Sequence, residues 1–69
     1  MIIRLHDEEN TFALLKTDEN VKVIEKLVEK YKAQNRDTYS IEGFLDFLMN
    51  QDIKFEAVIP FKADYHIYF

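Results

Sequence analysis

Residues 17–34 read TDENVKVIEKLVEKYKAQ, and the period of this stretch decides the fold. Val21, Ile24, Val28 and Tyr31 recur at three- and four-residue intervals, with Val23 and Leu27 widening the stripe. That spacing places them on one side of an α-helix, whose apolar stripe must be buried against another element. The stretch predicts a helix over about 19–34, with Thr17 or Asp18 as N-cap and Asp18 and Glu19 favourable to the dipole at its start. The polar connector 33–38 ends it, and Ser40 opens a second helix as its N-cap. Ile41, Phe44, Leu45 and Leu48 line one side of that helix, Phe47 and Met49 flank it, and Asn50 is its stop. Gly43 lies in the first turn, where glycine costs up to ~1 kcal/mol against alanine, so a close approach of another backbone is expected there.

On either side of the helical pair the period changes to two. Ile3 and Leu5 alternate with Ile2, Arg4 and His6; the polar break Asp7–Asn10 follows, and Thr11–Lys16 reads as a second strand of a hairpin. After the helices, Ile53, Phe55 and Ala57 alternate with Lys54 and Glu56 in a strand that ends near Ile59-Pro60. A loop over Pro60–Asp64 leads to Tyr65, Ile67 and Phe69, which alternate with His66 and Tyr68. The order is β-β-α-α-β-β. It predicts one small α+β domain over residues 1–69, with a four-stranded, largely antiparallel sheet carrying both helices on one face.

Composition supports a folded chain. Hydrophobic residues make up 48% of 69 residues, with six Phe and four Tyr, and Gly and Pro occur once each. Disordered segments have the opposite profile. At ~0.05–0.15 kcal/mol per residue the stability should be roughly 3–10 kcal/mol. Cysteine is absent, which excludes disulfides and thiolate metal sites, so the core must supply the stability, with self-association as a further source. No apolar run nears the ~20 residues of a membrane span, and the opening residues contain no extended apolar segment of a secretion signal. The expectation is a cytoplasmic location.

The formal net charge is −4, unevenly spread. Both ends of the chain are acidic, while 21–36 is basic through Lys22, Lys26, Lys30, Lys32 and Arg36. Lys22, Lys26 and Lys30 form a row at helical spacing, but Glu19, Glu25 and Glu29 run beside it, which is the pattern of a solvated helix face. The aromatic strand 65–69 has the residue types that stack unpaired bases, yet its nearest cation along the chain is Lys62. Nucleic acid is therefore disfavoured as a partner.

The chemistry-bearing residues form no recognised constellation. His6, His66 and neighbouring carboxylates lack metal-ligand spacing, although pairing of the first and last strands would bring the two histidines together. Ser40, the only serine, has a capping role, and no phosphate loop is possible with a single glycine. No catalytic residue, cofactor site or metal site is assigned, and the expectation is a non-enzyme without a cofactor. More is suggested by the sheet face away from the helices, which would carry Ile2, Val58, His66 and Tyr68 together with either Phe12 and Leu14 or Ala13 and Leu15. An exposed apolar patch of this kind marks an interaction surface. The function expected is a protein-interaction module of the inhibitor, antitoxin or accessory-subunit type. It would form a homodimer through Ile2, Phe12, Leu14, Val58, His66 and Tyr68. A basic protein partner would meet Asp7, Glu8, Glu9, Glu42 and Asp46. The alternatives are a nucleic-acid-associated regulator and a small-molecule or metal binder.

Overall fold

A computed structural model describes residues 1–59 and 62–69; the Pro60 end of the third strand region and part of the expected 60–64 loop lie outside the described residues. The elements are β1 (Ile2–His6), β2 (Phe12–Thr17), α1 (Val21–Gln34), α2 (Ile41–Asn50), β3 (Phe55–Ala57) and β4 (Tyr65–Tyr68), in the expected β-β-α-α-β-β order. They build a single mixed sheet of order β3-β2-β1-β4. β2 pairs antiparallel with both β1 and β3, while β1 and β4 run parallel.

Alternation sorts the side chains. Ile3, Leu5, Leu15, Ile67 and Phe69 face the helices and form one buried cluster with Ile24, Val28 and Tyr31 of α1 and Ile41, Phe44 and Leu48 of α2. Both helices therefore cover the same side of the sheet. The two-sided β2 is resolved by its register: Leu15 is fully buried and Ala13 packs against the core, so Phe12 and Leu14 point the other way.

The local signals need four corrections. The N-cap of α1 is Asn20, whose Oδ1 accepts from the Lys22 N–H at 2.8 Å, so Asp18 and Glu19 precede the helix and its first turn has no acid. Thr17 is instead the last residue of β2. Its buried hydroxyl donates to the Lys54 carbonyl at 2.9 Å and accepts from the Glu19 N–H at 3.2 Å, tying the start of β3 to the sheet. β3 is shorter than its alternation suggests, because only Phe55–Ala57 find partners on β2 and Ile53 packs outside the ladder. Val23 is exposed, so the stripe of α1 widens toward the half-buried Leu27 alone.

Ser40 caps α2 as expected, accepting from the Gly43 N–H at 3.0 Å. The close approach at Gly43 comes from a side chain and not from another backbone. A Cβ there would lie 2.1 Å from the Tyr31 hydroxyl oxygen and 3.1 Å from Ser40 Oγ. Tyr31 cannot easily swing away: its ring sits 5.7 Å from Phe44, 5.4 Å from Phe47 and 6.1 Å from Phe69, and its hydroxyl accepts from the Ser40 N–H at 3.3 Å. Gly43→Ala should therefore destabilise the fold by about 1–3 kcal/mol, overriding the helix-propensity gain. Tyr31→Phe in the same chain should recover part of the loss. A urea-unfolding cycle over the four proteins checks this, and simple additivity would mean the hydroxyl is not the obstacle.

Candidate functional site

Strand order composes the sheet face away from the helices in three cross-strand rows. Ile2, Lys16 and Glu56 form the first, since Lys16 is the register partner of both neighbours. Leu14, Arg4 and His66 form the second, and Val58 joins it at the β3 side, where its N–H donates to the Leu14 carbonyl at 3.1 Å. Phe12, His6 and Tyr68 form the third. The six residues expected at an interface, Ile2, Phe12, Leu14, Val58, His66 and Tyr68, thus share one face. Phe12 and Tyr68 are 55% and 57% exposed, large values for aromatic rings in strands, and Ile2, Leu14 and Val58 are half-buried.

Arg4 lies in the middle row of this face and His6 in the end row beside it, both on β1. The Arg4 guanidinium carbon lies 4.7 Å from the centre of the Phe12 ring, within cation–π range. The His6 ring meets Tyr68 edge-on at 5.6 Å and His66 at 6.3 Å. Parallel pairing of β1 with β4 brings the two histidines together in adjacent rows. Arg4 Nε and His6 Nδ1 are both buried atoms without a hydrogen-bond partner. Alternation along β1 already puts Arg4 and His6 on this side; the neighbour relation of β1 and β4, which sets His66 and Tyr68 beside them, is not visible in any local signal.

The expected acidic surface is partly assembled. Asp7, Glu8 and Glu9 from the β1–β2 turn and Glu42 from the start of α2 line one groove of about 740 Å³, whose wall also includes Lys32, Arg36 and Asp37. Asp46 is an exposed residue of α2 outside that lining. Asp7 has a structural task besides: its Oδ1 accepts from the Glu9 and Thr11 N–H groups at 2.9 and 3.0 Å, holding the turn in which Asn10 has a φ of 63°. Tyr68 links groove and sheet face. Its phenol titrates above the ordinary value, first through loss of surrounding water and then through its hydrogen bond to Glu8 and the negative charge of Glu8 and Asp7. The Lys22, Lys26 and Lys30 row is exposed on α1.

Among the described residues no group of three or more His, Cys, Asp or Glu side chains is placed to hold a metal ion, and no helix is long and apolar enough to cross a membrane. Comparison with protein-family models, with curated proteins and with solved structures returns no match for this chain.

Proposed function

We propose that this chain is a non-enzymatic protein-interaction module that forms a homodimer through the sheet face opposite its helices. The observation that carries the reading is the composition of that face by row. Its centre and one end hold Leu14, Val58, Arg4, Phe12 and Tyr68, while the chain's ordinary surface charges, Lys16 and Glu56, stand together in the end row. Interface cores are enriched in aromatic residues and arginine and depleted in lysine and glutamate, with the polar residues at the rim. Covering this face would give a cysteine-free chain of 69 residues additional buried area.

The groove holding Asp7, Glu8, Glu9 and Glu42 supports a second contact, with a basic protein partner, as an inhibitor, antitoxin or accessory subunit would make. Its charge would act chiefly on association rate and partner choice. A cytoplasmic setting suits a chain without cysteine. Sedimentation velocity over a range from about 1 to 500 μM tests the central claim. A concentration-dependent shift from monomer to dimer is expected, and a monomer at every concentration rejects it.

One observation favours a nucleic-acid reading as runner-up. Arg4 and Lys16 share the face with the Phe12 and Tyr68 rings, so cations and stacking surfaces coincide there. This reading predicts that a labelled single-stranded oligonucleotide binds at low salt and is released by added salt or by Arg4→Ala. A flat anisotropy titration is the result expected of the protein-interaction module.

A further inference from the structure

We infer that self-association through the sheet face is gated by pH, with His6 and His66 as the groups that open it on acidification. The inference rests on the dimer reading above. His6 lies in the middle strand of the exposed part of the face and is half-buried. Its ring is in edge contact with Tyr68, and its Nδ1 is withdrawn from solvent without a partner. His66 stands beside it on β4, directly across from Arg4.

The charged and titratable groups around this pair are few. On β1 there is Arg4, on β2 Lys16 lies two rows from His6 and one from His66, and just before β4 the Asp64 carboxylate accepts from the Ile2 N–H at 2.8 Å, one row from His66. On β3 there is Glu56, paired with Lys16, and on β4 the Tyr68 phenol, held protonated beside Glu8 and Asp7. No carboxylate occupies the rows that contain His6 and His66. Within those rows the permanent charge is that of Arg4, which a proton added to either imidazole joins, while Asp64, Glu8 and Asp7 stand outside them.

Association across a two-fold axis doubles the effect. A self-complementary contact brings the same patch from both chains together, so two Arg4 and four imidazoles would share one contact. Removal of water strengthens their repulsion. The dimer is then the state that binds fewer protons. By linkage its affinity is full where the imidazoles are neutral and falls as acidification charges them. For each further unit of acidification, each imidazole that must stay neutral in the dimer weakens association about tenfold. The two His6 rings alone imply about a hundredfold, and all four imidazoles up to about 10⁴-fold.

The test is sedimentation velocity of the full chain at about pH 8 and pH 5.5, with far-UV circular dichroism at both. The same measurements are made on His66→Gln and on His6→Gln/His66→Gln. The expected result is a dimer at pH 8 that dissociates at least a hundredfold more readily at pH 5.5 with its helical signal intact. His66→Gln should retain part of the effect, and the double variant should dimerise equally at both values. Equal affinity of the wild type at both pH values overturns the gating and leaves the dimer reading standing. A monomer at pH 8 at high concentration removes the dimer reading and the gating with it. Unchanged pH dependence in the double variant assigns it to carboxylates and overturns the role of the histidines, as does loss of helix at pH 5.5.

Discussion

Phe44→Ala is expected to lower the unfolding free energy by about 3–5 kcal/mol, the range for removing a fully buried aromatic side chain. For a domain whose whole stability is of order 3–10 kcal/mol, that leaves it barely folded or unfolded at room temperature. Phe44 is the largest of the completely buried side chains, and the rings of Tyr31, Phe47 and Phe69 surround it at 5.7, 6.1 and 5.5 Å. Those partners come from α1, from α2 itself and from the residue after β4, so the cavity would open where helix–helix and helix–sheet contacts meet. Collapse into it is hindered because each neighbouring ring already packs against another. Phe44→Leu keeps most of the volume and should cost less than about 1.5 kcal/mol. Urea unfolding followed by circular dichroism measures both. A loss below about 1 kcal/mol for the alanine variant would show that the aromatic cluster is not the support of the fold.

The second large effect is on association. Leu14→Glu should weaken the dimer by a hundredfold or more, which is about 2.7 kcal/mol, while changing the unfolding midpoint of the monomer little. Leu14 is half-buried, lies in the central row and is the register partner of Arg4. In the free chain the new carboxylate can remain hydrated next to the Arg4 guanidinium. In the dimer it would be desolvated, and two-fold symmetry would bring in a second copy of it. Lys16→Glu, placed in the end row, is the control and should alter affinity far less, as expected of a rim position. Light scattering across a dilution series separates the two variants. No effect at either position would mean that association does not use this face. Reduced affinity in both, accompanied by loss of helical signal, would mark unfolding in place of dissociation.

Much of this architecture was legible in the chain because it depends on short-range periodicity. Ile24, Val28 and Tyr31 repeat with the helical period and are buried; Ile3, Leu5 and Ile67 repeat with the strand period and are buried too. Ser40 opens α2 as its residue type suggests, since capping is settled within one turn. The N-cap of α1 was not legible in the same way. Thr17, Asp18 and Asn20 can all cap, and the choice fell to Asn20 because Thr17 is needed by the sheet and by Lys54, which lies 37 residues further on.

Composition and period alone determine that this is one small α+β chain of β-β-α-α-β-β order with an apolar side to every element. Neighbour relations between distant segments belong to the folded state: the parallel pairing of β1 with β4, the choice of Leu15 over Leu14 for the core, and the Tyr31 hydroxyl above Gly43. The reason is physical. Local backbone preferences act over a few residues, whereas register and strand order minimise the free energy of the whole core. That is why Arg4, His6 and His66, unremarkable along the chain, come together on the face proposed for recognition.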